Sequence, residues 1–214
     1  MAGPSLSPFP MPQVPNLWRE CAAILLRRPR PSALIAASYP AGERYFTASG
    51  PVSGILVPIV LVSLLGDIPL SFAVVAISHA AHPTLVHAVV LALGLLTLGW
   101  AVAARSVARS IPHVLADDAL WMGGGARHAG VIPREAIRCI VPIQGSRHAW
   151  MRAHGLDRKD VLLASGFEPP NLAIELDDVA VGRCGMRRIL RRWVLLYADR
   201  PAALASTAIP GRCT

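Results

Sequence analysis

The sequence predicts a membrane-spanning α-helical hairpin of two transmembrane helices, followed by a small all-β domain that ends in a helix. Three observations carry this reading. The stretches Val52–Ile77 and Thr84–Ala104 are 26 and 21 residues long and hold one charged residue between them. Beyond Arg109 the apolar residues recur in short runs divided by turn residues, the pattern of strands rather than helices. The charge is also uneven: of a net +8, residues 1–50 carry +3, residues 51–104 carry −1 and residues 105–214 carry +6. With 53% apolar and 16% charged residues over 214 positions, and a mean hydropathy of +0.46, the composition excludes a disordered chain and departs from that of an ordinary soluble domain.

Residues 1–50 precede the hairpin. Met1 to Pro15 holds Pro4, Pro8, Pro10, Pro12 and Pro15 among small residues, which neither sustain a helix nor fill a core, so it reads as a disordered tail. Leu17–Arg28 (LWRECAAILLRR) reads either as a short helix in the headgroup region, with Trp18 and its arginines at the interface, or as a plain cytoplasmic helix or linker.

Residues 51–109 form the hairpin. A bilayer core of ~30 Å needs ~20 apolar helical residues, and both stretches meet that length. The link Ser78-His79-Ala80-Ala81-His82-Pro83 is short enough to force antiparallel neighbours, with Gly94 and Gly99 as small faces for close approach. Arg27, Arg28, Arg30 and Arg44 precede the first helix, Arg105 and Arg109 follow the second, and the link has no Lys or Arg. Basic flanks stay in the cytoplasm, so both termini are expected there. The apolar run Cys21–Leu26 is too short for a signal-peptide core, which leaves the first helix as an uncleaved anchor. Arginine almost excludes lysine, Lys159 being the single example, as in proteins encoded by GC-rich bacterial genomes; the expected site is the bacterial inner membrane.

Asp67 is the one ionisable acid within the apolar spans, where such residues are costly and often functional. Pro69 beside it predicts a kink with freed carbonyls. His79, His82 and His87 gather near the link. A site joining Asp67 to His87 is disfavoured, because Asp67 lies ten residues, ~15 Å, down its helix from Ile77 while His87 lies near the start of its own. The structural reading, a capped, kinked or oligomer-facing aspartate, is preferred, and no metal site is expected.

Residues 110–209 form the β domain, and residues 210–214 a tail. The strands are expected at His113–Ala116, Ala119–Met122, His128–Ile132, Ile137–Ile143, Val161–Ser165, Leu172–Leu176, Val179–Gly182 and Ile189–Tyr197. Gly123–Gly125 reads as a hairpin turn, since the Lys-Ser/Thr of a phosphate loop is missing. Gly145–Gly155 reads as a loop or short helix. Asp199–Ile209, with an N-cap Asp and an early Pro, reads as a closing helix.

The order of these elements carries a resemblance. His113-Val114-Leu115-x-Asp117-Asp118-x-Leu120, then Ile132-Pro133 with Ile137, then Pro169-Pro170-Asn171-Leu172 leading into Ile174-x-Leu176, then Leu195-x-x-x-Asp199-x-Pro201-x-x-Leu204, together with Asp67-Ile68-Pro69 upstream, resemble uncharacterised bacterial two-helix membrane proteins with a pleckstrin-homology-like (PH-like) domain. The resemblance spans residues 45–209, and the Pro-rich amino-terminal extension departs from it. It implies a β-sandwich or partly closed barrel of about seven strands closed at one end by a helix, and it transfers no catalytic residue.

No nucleophile elbow, zinc-protease helix, Walker loop or dinucleotide fingerprint is present. Cys21, Cys139, Cys184 and Cys213 lack ligand or disulfide spacing and read as free thiols. His113, His128, His148 and His154 read as exposed or loop histidines. Arg187, Arg188, Arg191 and Arg192 form the densest basic run; beside a membrane each would gain ~1 kcal/mol from anionic headgroups, against the plainer reading of a solvated positive face. With Trp193 as the one nearby aromatic, nucleic acid is not an expected partner. The reading is therefore not an enzyme and needs no cofactor. It is a membrane-anchored interaction or adaptor module whose β domain binds a protein or lipid partner, or a second copy of the chain. The alternative is a subunit of a larger transporter or membrane enzyme that uses Asp67.

Overall fold

The computed structural model describes residue 13 and residues 15–47, 50–79, 82–123, 129–165, 168–177, 182–184, 187–189 and 191–208, with the backbone alone at 51, 182–184, 187–189 and 208. Most of the expected Pro-rich tail lies outside these residues. Helix α1 (Leu17–Leu25) starts where the Asn16 side chain accepts from the N–H groups of Trp18 (2.9 Å) and Arg19 (3.4 Å). It ends in a Schellman motif: the Arg28 N–H donates to the Ala23 carbonyl (2.9 Å), the Arg27 N–H to that of Ile24 (3.3 Å), and Arg27 takes the left-handed φ of 51° that glycine usually supplies. Helix α2 (Pro31–Ala37) follows, then a three-residue strand β1 (Glu43–Tyr45).

The hairpin is α3 (Pro51–Ser78) and α4 (Pro83–Ser110), packed along one another. Helix α3 runs unbroken through Pro58 and Pro69. Both helices are long and apolar enough to cross a membrane, with a mean hydropathy of 2.2 in each. Only 11% and 6% of their most apolar windows are buried, and Val62, Leu65, Phe72 and Ile77 project outward. The core helix of a soluble protein would hide such residues. Gly94 sits under Leu64 of α3, as expected of a small face, whereas Gly99 faces Cys21 of α1. Helix α4 runs six residues beyond its expected end, because Ala101, Ala103, Ala104, Ser106 and Val107 are buried where α1 and α2 pack against it.

The remaining elements are β2 (His113–Leu115), β3 (Ala119–Met122), β4 (Gly130–Pro133), β5 (Ile137–Pro142), α5 (Arg147–Ala153), β6 (Val161–Leu163), β7 (Leu172–Leu176), β8 (Gly182–Cys184), β9 (Arg187–Ile189), β10 (Trp193–Leu196) and α6 (Pro201–Ala208). They build two sheets, β1-β2-β3-β4-β8-β9 and β5-β7-β10-β6, antiparallel throughout except for the parallel pair β6–β10, and no barrel closes. The strand expected over Ile189–Tyr197 is two strands in different sheets, divided near Arg191 and Arg192. Gly124 and Gly125 and most of the strand expected at Val179–Gly182 lie outside the described residues.

Alternation sorts the second sheet into two buried faces. Leu172, Ile174, Leu176, Val194 and Leu196 point into the main core with Leu120, Met122 and Ile132, and Leu204 of α6 plugs it. Ala173, Trp193 and Leu195 point the other way, where Trp150 and Met151 of α5 cover them. The main core also includes Tyr45, which is fully buried, so the β domain draws a strand from before the hairpin.

Three further contacts fix the β domain to the helices. Only Ile111 and Pro112 separate α4 from β2. Phe46 and Asp199 bond reciprocally: the Phe46 N–H donates to the Asp199 carboxylate (3.0 Å) and the Asp199 N–H to the Phe46 carbonyl (3.0 Å). The Glu168 carboxylate, 5% exposed, accepts from the N–H groups of Val52 (3.2 Å) and Ser53 (2.5 Å), capping the first turn of α3 from 115 or more residues away.

Candidate functional site

Asp67 is exposed on α3 and lines a groove of about 460 Å³ between the two hairpin helices, together with Ser63, Ser71 and Thr97. Ser63, Asp67 and Ser71 are spaced four apart and share one helix face. His87 meets Ser71 rather than Asp67: its Nδ1 is 3.0 Å from the Ser71 Oγ, and its ring lies 4.1 Å from that of Phe72. That pairing one turn from Asp67 matches the difference in depth read from the sequence. His79 and His82 cap the facing ends of α3 and α4, and among the described residues no three His, Cys, Asp or Glu side chains gather as metal ligands.

The basic run is divided. The Arg191 Nη1 donates to the carbonyls of Arg158 (3.2 Å) and Val161, pinning the start of β6. Arg192 grips Glu175 through Nε (2.9 Å) and Nη2 (2.7 Å), and Arg138 Nη1 lies 3.6 Å from the same oxygen. Arg187 and Arg188 are in β9, and their side chains lie outside the description. The two described guanidinium groups thus bond within their own domain.

A second basic assembly was legible only as an orientation signal. Arg27, Arg28 and Arg30, from the α1–α2 turn, and Arg105 and Arg109, from the end of α4, line one open groove of about 710 Å³. Beneath it Glu20 is fully buried, accepting from Ser32 N–H (3.0 Å), Ser32 Oγ (2.6 Å) and Ser106 Oγ (2.7 Å). Arg30 Nη1 donates to the same Ser106 hydroxyl (3.2 Å). In the sequence Glu20 looks like an ordinary first-turn acid, because its partners are 12 and 86 residues away.

The histidine reading needs one correction. His113 is buried, not exposed: strand β2 turns it inward, where its Nδ1 accepts from the Gly123 N–H (3.1 Å) and its Nε2–H donates to the Tyr197 carbonyl (3.1 Å). Burial lowers its pKa to about 4, so the ring is neutral. His148 and His154 are exposed, His154 stacking on Trp150 at 4.2 Å, and His128 lies outside the described residues. Among the described residues Cys21 and Cys139 are in no disulfide, the Cys139 Sγ donating to the Glu175 carboxylate (3.6 Å), while Cys213 and the Cys184 side chain lie outside the described residues.

Compared with protein-family models, curated proteins and solved structures, the chain matches none.

Proposed function

We propose that this chain is a two-pass bacterial inner-membrane protein with both termini in the cytoplasm, and that its β domain is a PH-like interaction module that holds a protein or lipid partner at the membrane surface. The coupling of the β domain to the hairpin carries this reading. Strand β1 leads into α3, α4 leads into β2, and Glu168 grips the first turn of α3. A domain fixed so closely to its anchor keeps one set of surfaces towards the headgroups and another towards the cytoplasm. The outward apolar side chains of α3 and α4, and the arginines that flank them, support insertion in that orientation. The two-sheet arrangement with Leu204 of α6 plugging the core supports the PH-like reading, while the parallel β6–β10 pair and β1 are departures from it. Arg187 and Arg188, with Arg191 and Arg192, are proposed to face anionic headgroups.

Reporter fusions and affinity capture test the proposal. An alkaline phosphatase fused at Thr214 is expected to be inactive and one placed near His82 active; the reverse would overturn the topology. From detergent-solubilised membranes the full chain is expected to capture a partner that a chain ending at Ser110 loses. A second reading, a subunit of a transporter or membrane enzyme, is favoured by the placement of Asp67, with Ser63, Ser71 and Thr97, in an otherwise apolar groove between the two helices. It predicts that Asp67→Asn abolishes the function of the assembly, whereas the interaction-module reading predicts unchanged capture by that variant.

A further inference from the structure

We infer that the groove lined by Arg27, Arg28, Arg30, Arg105 and Arg109 binds the phosphate of an anionic phospholipid headgroup. The inference rests on the membrane reading above but not on any partner of the β domain. Five arginines from two segments far apart in sequence line it, and among the described residues none of the five is in an ion pair. Glu20, which shares Ser106 with Arg30, is already committed to Ser32 and Ser106. Like charges gathered along one groove repel one another, and an anion relieves that repulsion. The Arg105 Nε is buried with no acceptor among the described residues, so this guanidinium is not fully satisfied within the chain.

The lining also grades as a lipid does. Ala23, Ile24, Val57 and Val102 form its apolar part, and Val102 lies one turn from Arg105 on α4, where the uncharged span of that helix ends. Arginine suits the ligand, because its planar fork of donors matches two phosphate oxygens at once. Arg27 occupies the left-handed Schellman position in place of glycine, so a strained backbone position carries one of the arginines that line the groove.

The test uses the detergent-solubilised full chain, titrated with phosphatidylglycerol or phosphatidylcholine and followed by native mass spectrometry and thermal unfolding. Saturable binding of phosphatidylglycerol, with a raised melting temperature, is expected for the wild type. Arg27→Gly and Arg28→Gln should each weaken it about 5-fold, the equivalent of ~1 kcal/mol per arginine at an anionic surface. Arg27→Gly relieves the left-handed strain, so lost binding in that variant is not a failure to fold. Arg152→Gln combined with Arg158→Gln, on the exposed β domain, should leave binding unchanged. Equal weakening by that control pair, full affinity in Arg27→Gly, or an equal response to inorganic phosphate would overturn the lipid assignment. Failure of the membrane reading is separable: carbonate would then extract the wild-type chain from membranes, whereas an integrated chain that prefers phosphatidylglycerol equally well with and without Arg27→Gly overturns the groove proposal alone.

Discussion

Glu168 links the β domain to α3, and removing it should be felt at one turn of helix. Its carboxylate accepts two N–H groups that have no intrahelical partner, those of Val52 and Ser53, and Pro51 before them has none to offer. Two hydrogen bonds to a charged, buried acceptor at ~1.5 kcal/mol each amount to about 3 kcal/mol, which includes its attraction to the helix dipole. Glu168→Ala should therefore raise amide exchange at Val52 and Ser53 about 100-fold relative to the wild type, measured by hydrogen–deuterium exchange on the detergent-solubilised chain. Glu168→Gln, which keeps an acceptor and loses the charge, should raise it about 10-fold. Gly50 supplies an internal check. Its φ of −77° suits alanine, but a methyl group there would overlap the Glu168 carboxyl. Gly50→Ala should thus mimic Glu168→Ala in the wild-type background and add little once Glu168 is gone. Exchange at Val52 and Ser53 that rises less than 5-fold in Glu168→Ala, or additive effects of the two substitutions, would refute the cap.

The remaining predictions concern the β domain and its junction with the helices. His113 has an ordinary pKa of 6.5, lowered to about 4 by burial, so the unfolded chain binds the proton more readily; its contribution is complete above about pH 6.5 and falls by about 3 kcal/mol as the pH drops to 4. Urea unfolding followed by tryptophan fluorescence should show that loss in the wild type and a shallower one in His113→Gln, and equal slopes would refute it. The Tyr39 hydroxyl is buried without a partner among the described residues, and burial raises its pKa to about 12. Tyr39→Phe should therefore be neutral or stabilise by about 1 kcal/mol in thermal unfolding, and a destabilisation of that size would reveal a missed acceptor. Residues 110–209 expressed alone lack Tyr45, so restoring β1 as a fused segment should raise the melting temperature of the fragment, and no change would show Tyr45 to be dispensable.

The features legible in the sequence are those set by local composition. The helices of the hairpin follow from unbroken apolar length, and their boundaries at the link fall within a residue or so of the expected ones. Strands β3 and β7 coincide with their expected spans, since a short apolar run between turn residues is a local signal. The depth of His87 relative to Asp67 followed from helical rise alone. The rest depends on partners distant along the chain. A strand as short as Glu43–Tyr45 has no alternation to read, and it becomes a strand because β2 offers an open edge. The extra turns of α4 are stable because α1 and α2 cover them. The burial of His113, the capping of α3 by Glu168 and the gathering of five arginines each join residues 76 to 116 positions apart or depend on contacts that do. Periodicity marks which residues seek burial or water, but it carries no information on which of them meet; that is decided when helices and sheets pack and each buried polar group finds its partner.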